Sequence, residues 1–256
     1  MEIENWRLWN HYKKYGDLLY KRAIGELEEM ESSKALCQII DRLYQPGMRV
    51  ADVGCGAGHY LRSLRQRIDV NIDYTGIDAT EYYIELARKA FPEKVQFLVG
   101  DIFEIPVEDA MYDLVLNNNV ILHLPPPPIK AFGELLRISK KYVVIRTTFG
   151  VRNYIIKEVL TREEGFESVE QSESALIQPD GDLSLFRYFN LYTETYIREV
   201  IQTLDPTVQI EIIKDDMWAS FDNRELTTQT GTRILDNIQV SGNIVLDWRF
   251  IVLTKK

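Results

Sequence analysis

Val50-Ala51-Asp52-Val53-Gly54-Cys55-Gly56-Ala57-Gly58-His59-Tyr60 is the stretch that decides how the rest of the chain is read. An apolar run ends in an acid, glycines fall on alternate residues, and a helical pattern with Leu61, Leu64 and Ile68 follows. A strand that enters a glycine-rich turn and leaves as a helix is the first βα unit of a doubly wound α/β domain. Glycine lets the main chain turn tightly and leaves it bare for a ligand, because no Cβ stands in the way. The helix beginning near Gly58 turns free N–H groups and its positive dipole end toward the same crevice. The spacing is not that of a dinucleotide site, which needs glycine where His59 stands. No Lys-Ser/Thr follows, so a P-loop is excluded. Alone, the triplet reads equally as an ordinary tight turn, and the case depends on what comes after it.

What comes after is regular. Tyr74 to Asp78 is a strand ending in an acid, and Thr80 is the expected N-cap of a helix carrying Ile84, Ala87 and Phe91. Val95 to Val99 is a third strand, followed by Gly100-Asp101. Tyr112 to Asn117 is a fourth, running into Asn118 and Asn119. After the proline run 125–128, the last of which can open a helix, comes a helical pattern and then a fifth strand, 141–146. Alternation of this kind predicts a parallel sheet with helices on both faces.

Upstream, residues 5–30 read as helix, with Trp6, Trp9 and Tyr12 spaced to share a face, and a second helix is expected from Ser33. Downstream of residue 150 the chain turns polar and irregular up to an aromatic cluster, Leu185 to Tyr192. A helix from Thr193 and strands at 208–214 and 243–253 close the pattern, separated by a polar stretch holding Trp218 and Phe221.

The net charge of −9 argues against a broad nucleic-acid surface, so no DNA partner is expected. Two cysteines, Cys37 and Cys55, make no disulfide framework, and the polar start of the chain is unlike a signal peptide. No apolar run reaches membrane-spanning length. A cytoplasmic protein with no membrane partner is the expectation. His11, His59 and His123 are dispersed and have no metal-ligand spacing, so no metal is expected.

In open α/β sheets ligands sit beyond the carboxyl ends of the strands. Asp52 with the glycines, Asp78, Asp101 and the asparagines each follow a successive strand there. Asp78 lies about 20 residues past the glycines, where an acid meets a ribose diol. Each has a plain alternative as a capping or turn residue, but the joint placement is hard to dismiss.

From about residue 48 to 148 the chain resembles the class I S-adenosylmethionine-dependent methyltransferases. The match runs through Val50–Gly58, Gly76-Ile77-Asp78, Val99-Gly100-Asp101-Ile102 and Tyr112-Asp113-Leu114-Val115 on to Val120-Ile121-Leu122-His123-Leu124. The resemblance implies a doubly wound, seven-stranded, mostly parallel Rossmann-like sheet, with N-terminal helices and an insertion after strand five. It divides the chain into a helical cap (1–46), a cofactor-binding core (47–149), a lid (150–192) and a helix with strands completing the domain (193–256). It places S-adenosylmethionine along Gly54, Cys55, Gly56 and Gly58, with Asp78 and neighbouring Ala79 at the ribose. Asp101 would meet the adenine amino group and Ile102 would cover the ring. Asn117 and Asn118, with Asp52 through water, would hold the methionine end, and Tyr12 and Tyr15 would close over the cofactor.

The chain departs from the family's planar-nitrogen enzymes, since no Asn/Asp-Pro-Pro-Tyr follows strand four. The favoured reading is methyl transfer to an O or N atom of a small molecule, in the sugar or secondary-metabolite class. A protein or RNA methyltransferase and a catalytically inactive cofactor-binding scaffold are the alternatives. His123, close to the expected methyl position, is the candidate general base, against a purely structural histidine; His59 is expected to shape the turn. Arg187, Tyr188 and Tyr192 are the expected acceptor contacts on a lid, against the alternative that Phe186 and Phe189 simply pack in the core.

Overall fold

The computed structural model describes residues 6–93, 95–159, 186–217, 225–228, 232–235 and 238–256. Seven strands form the central sheet: β1 (Arg49–Val53), β2 (Asp73–Asp78), β3 (Gln96–Val99), β4 (Tyr112–Asn118), β5 (Ser139–Phe149), β6 (Gln209–Lys214) and β7 (Asp247–Thr254). Their spatial order is β3-β2-β1-β4-β5-β7-β6. The first five run parallel, and β7 lies antiparallel between β5 and β6. The order reverses beside β1, which opens a crevice at the carboxyl ends of β1 and β4.

Central strands must be apolar on both faces. Val50, Ala51 and Val53 of β1 and Leu114, Val115 and Leu116 of β4 are accordingly buried. One face is covered by α2 (Glu31–Asp41), α3 (His59–Arg67) and α4 (Glu81–Ala90), through Leu36, Ile40, Leu61, Leu64 and Ile84. The other is covered by α5 (Ile129–Ile138) and α6 (Glu194–Leu204), through Phe132, Leu135, Ile197 and Ile201. α1 (Lys13–Ile24) packs against α3 and α4 over the glycine turn. Gly16 permits that approach, because a Cβ there would stand 2.6 Å from the Tyr83 ring.

Several local expectations change. The N-terminal helix is not continuous: a 3-10 turn (Leu8–His11) ends at Tyr12, whose φ of −101° and ψ of 66° break the helix before α1. Trp6 therefore leaves the Trp9–Tyr12 face and meets Phe103 edge-on. Gly25, at φ 84°, stops α1 with its N–H on the Arg22 and Lys21 carbonyls. α2 starts at Glu31, and Ser33 is buried inside it without acting as a cap. Thr80 holds the N-cap position of α4 without a side-chain cap bond, and the Asp78 carboxylate takes its backbone N–H at 2.9 Å. Pro128 precedes α5 as its N-cap.

Past β5, Lys157–Val159 pairs antiparallel with Phe186–Tyr188. A further four-stranded antiparallel sheet is built from short strands between Glu225 and Val245. Most of the expected lid, with Trp218 and Phe221, lies outside the described residues. No helix among the described residues is long and apolar enough to cross a membrane.

Candidate active site

The cleft is assembled first from main chain. At the end of β1 the Gly54 and Cys55 N–H groups both donate to the Ile77 carbonyl, at 2.7 and 3.1 Å, tying the glycine turn to β2. Gly54 and Gly56 take φ values of 80° and 55°, a region that disfavours side chains. Their bare faces are closely approached: a Cβ on Gly56 would stand 2.6 Å from Leu19 Cδ1 of α1, and one on Gly54 would collide with Val120. Asp78 ends β2 with one oxygen accepting from Gly56 N and the other from Thr80 N, both at 2.9 Å. Burial raises its pKa, and those two N–H groups pull it back. The carboxylate is thus fixed at the strand end with lone pairs to spare for hydroxyl donors.

Asp52 lies deeper. It is buried on β1, accepts from the Tyr74 hydroxyl at 2.8 Å, and leaves Oδ1 without a partner. Burial pushes its pKa up to about 7, the Tyr74 hydrogen bond opposing. Asn117 donates to the Val53 carbonyl at 2.8 Å, clamping β4 to β1. Asn118 is only 5% exposed, neither end of its amide has a partner, and it lines the cleft. Asn119, at φ 60°, turns the chain out of the strand. Behind it Arg146 of β5 donates to Asn119 Oδ1 at 2.5 Å and pairs with Asp215 at 2.6 Å, both side chains essentially without solvent. Trp248 covers the guanidinium at 4.0 Å.

A cavity of about 190 Å³ runs through this crevice. At one end lie Asp78, Ala79, Asp101 and Ile102; Asp101 accepts from Phe103 N at 2.9 Å and is met by the Arg7 guanidinium at 2.6 Å. At the other stand Trp9, Tyr15 and His123. Tyr15 stacks on Tyr12 with ring centres 5.4 Å apart, and Trp9 meets the His123 ring edge-on at 5.1 Å. His123 Nδ1 is 2.8 Å from the Tyr188 carbonyl, and the Phe189 ring meets the imidazole edge-on, with ring centres 5.8 Å apart. A carbonyl only accepts, so Nδ1 carries the proton and Nε2 is left as an acceptor. Enclosure, then the charge of Arg187, hold the His123 pKa down to about 3, with the Tyr188 hydrogen bond opposing.

A family profile described as "Methyltransferase domain" matches residues 44–189, more than half of the chain. The chain belongs to that methyltransferase family. It is 30% identical over 105 residues to an O-methyltransferase of Pyrenophora dematioidea, a match covering 39% of each chain. It is 31% identical over 142 residues to phosphoethanolamine N-methyltransferase 3 of Arabidopsis thaliana, covering 52% of this chain and 28% of that one. The matches thus span less than half of these relatives' own length. The solved 1,6-didemethyltoxoflavin-N1-methyltransferase of Burkholderia thailandensis, with 1,6-didemethyltoxoflavin and S-adenosylhomocysteine bound, shares the fold. Its TM-score is 0.55 at 13% identity, over 94% of this chain and 86% of that one.

Of the residues expected at the methyltransferase site, Gly54, Gly56, Asp78, Ala79, Asp101, Ile102, Asn118, Tyr15 and His123 line one cavity. Asp52, Cys55, Gly58 and Asn117 stand behind its wall and shape it; Tyr12 backs it through the Tyr15 stack. The residues expected as acceptor contacts, Arg187, Tyr188 and Tyr192, do not line that cavity. Tyr192 is 2% exposed in the main core and stacks on Tyr196. Arg187 is paired with Glu158 at 2.5 Å and does not line the cavity. Tyr188 contributes its carbonyl, through His123, while Phe186 and Phe189 are buried. Sequence reasoning missed Arg7, Tyr60 and Arg146. The only signal for Arg146 was a cation interrupting the apolar run Tyr142 to Thr147.

Proposed function

We propose that this protein transfers a methyl group from S-adenosylmethionine to a small molecule by direct displacement, with a neutral nitrogen as the favoured acceptor and oxygen as the second reading. The residues present fit the cofactor. Asp78 offers acceptor oxygens where a ribose diol would lie, Asp101 offers one for an exocyclic amine, and the orphaned Asn118 amide has both a donor and an acceptor unused. The cofactor, when bound, supplies a methyl group activated on a sulfonium. The protein's task is then alignment and exclusion of water, which can account for most of the rate enhancement of such a displacement.

The observation that carries the choice of acceptor is the state of His123. Its Nδ1–H is held by the Tyr188 carbonyl, its Nε2 is an acceptor, and its pKa of about 3 makes it a feeble base. Such a ring does not strip a proton from a hydroxyl. It accepts a hydrogen bond from an N–H and so turns the nitrogen's own lone pair toward the methyl group. An amine attacks through that lone pair and releases its proton afterwards. Trp9 and Tyr15 roof this end, which favours a small acceptor over a folded macromolecule. The test is a panel of matched amine and hydroxyl acceptors, read by product mass. Amines should be methylated and the hydroxyl partners left untouched. Turnover confined to hydroxyls, with a loss of roughly 10²–10⁴-fold in His123→Phe, would reinstate the ring as a general base.

A further inference from the structure

His123 ends a three-residue 3-10 turn, Ile121–His123, that follows β4. Such a turn has few bonds of its own. His123 N donates to the Val120 carbonyl at 2.8 Å and Leu124 N to the Ile121 carbonyl at 3.3 Å. Its direction is set from outside, by the segment that returns to the core at 188–191. Three consecutive residues of that segment meet it. The Tyr188 carbonyl takes Nδ1–H, and the Phe189 ring lies edge-on to the imidazole. Asn190 takes the main chain on both sides of the histidine. Its backbone N–H donates to the Leu122 carbonyl and its side-chain amide to the Leu124 carbonyl, both at 2.8 Å. The segment is fastened in turn: Phe189 N donates to the Ile156 carbonyl at 2.9 Å, and Tyr154 and Leu191 exchange main-chain bonds at 2.8 and 3.0 Å.

For packing alone Asn190 is a poor residue. Its side chain is fully buried, and Oδ1 makes no hydrogen bond of normal geometry. Burying an unpaired amide oxygen costs free energy that a leucine of similar size would not lose. Leucine would also suit the neighbourhood, where Leu122, Phe189, Leu191 and Leu246 form an apolar cluster. What leucine lacks is a donor for the Leu124 carbonyl. With the carbonyls of residues 122 and 124 both held, the Cα–Cβ bond of His123 has one direction. The Tyr188 carbonyl then selects the ring's rotation and its tautomer, which leaves Nε2 as the acceptor.

We propose that Asn190 is a positioning residue for methyl transfer: by holding the main chain on both sides of His123 it keeps that ring on the Tyr188 carbonyl and Nε2 turned into the cleft. This rests on the reading of His123 as the group that meets the acceptor. It adds that the segment returning from the insertion, which does not line the cavity through Arg187, Tyr188 or Tyr192, acts on the acceptor end through the histidine.

Histidine-selective 15N nuclear magnetic resonance on the intact chain reads the ring without any acceptor, with His123→Phe identifying the signal. The native ring should be one neutral tautomer, protonated on Nδ1. In Asn190→Leu, which keeps the size and removes the donor, the ring should sample both tautomers. The kcat for an acceptor found in the panel above should fall by about a hundredfold, the scale of an ångström's misplacement. Calorimetry with S-adenosylhomocysteine should give the native affinity, which also reports that the variant is folded. Asn190→Ser, smaller but still a donor, should fall between the native protein and Asn190→Leu. An unchanged ring signal or an unchanged kcat in Asn190→Leu overturns the proposal. Loss of S-adenosylhomocysteine binding in step with the ring signal in both variants overturns it too, since Asn190 would then support the whole cleft. A native ring protonated on Nε2 would instead remove the reading of His123 beneath it.

Discussion

The two ends of the cleft are built from different material. The cofactor end is held by main chain: the Ile77 carbonyl takes two N–H groups of the glycine turn, and Asp78 is pinned by the backbone of Gly56 and Thr80. All of it comes from one βαβ unit, between β1 and the start of α4. The acceptor end is held by side chains from distant segments, with Trp9 on His123, His123 on the Tyr188 carbonyl, and Arg146 reaching both Asn119 and Asp215. Main-chain construction depends on a few residue types at fixed spacing and tolerates much else. Side-chain construction depends on each partner separately, so its parts fail one at a time and can be tested one at a time.

The largest effect should come from the side-chain end. Asp215→Ala leaves the Arg146 guanidinium buried and without its counter-ion, which costs about 3–5 kcal/mol. Urea unfolding should show that loss; a change near zero would mean that Asn119 and the Trp248 face alone satisfy the arginine.

Second is an opposition in pH dependence. His59 has a pKa of about 3 in the folded chain against about 6.5 unfolded, so the stability it contributes is complete above pH 6.5 and is lost as the pH falls toward 3. Asp52 runs the other way: with about 7 folded against about 3.9 unfolded, its contribution is complete at low pH and is lost as the pH rises from 4 to 7. Each group has a limiting slope of about 1.4 kcal/mol per pH unit. Asp52→Asn, which still accepts from Tyr74, should therefore steepen the stability loss on acidification, and His59→Phe should flatten it. Unfolding free energies measured from pH 4 to 7 decide this, and parallel curves for the two variants would contradict both assignments.

Third, at the main-chain end, Asp78→Ala should weaken S-adenosylhomocysteine binding by about 1.5–3 kcal/mol while far-ultraviolet circular dichroism stays unchanged. Full affinity would detach the acid from the ribose. The smallest effect belongs to Arg7→Ala. The Arg7–Asp101 pair is partly exposed, and such pairs contribute about 0–1 kcal/mol. Thermal stability should hardly move. A large drop in cofactor affinity would make Arg7 part of the cofactor site and not a cover over Asp101.

The same division sets how much the amino-acid sequence revealed. The sheet, its strand ends and the line of acids and asparagines were legible, because alternate glycines and apolar runs are local signals with one physical meaning. The break at Tyr12 was not, since Trp6, Trp9 and Tyr12 keep helical spacing although the chain leaves the helix between them. The short strands from Glu225 to Val245 escaped for a related reason: three- or four-residue segments leave no room for a periodic pattern. Tyr192 was misplaced because an aromatic cluster reads alike whether it faces a ligand or the core, and the Phe149–Tyr192 bridge that draws it inward joins distant residues. His123 was found as a residue, but its weak basicity was not, because the burial that lowers its pKa, and the nearby charge of Arg187, arise only in the folded chain.

The position of β7 between β5 and β6 has a consequence for how this protein is made. Both of its neighbours precede it in the chain, and β6 has no other partner in the sheet. While the chain emerges from the ribosome, β5 therefore keeps an open edge and β6 waits unpaired until residues 247–254 arrive. Edges of that kind are where nascent chains stick to one another. The interval between synthesis of β6 and of β7, about thirty residues that include the short strands of the small antiparallel sheet, is then the period when the molecule most needs a chaperone.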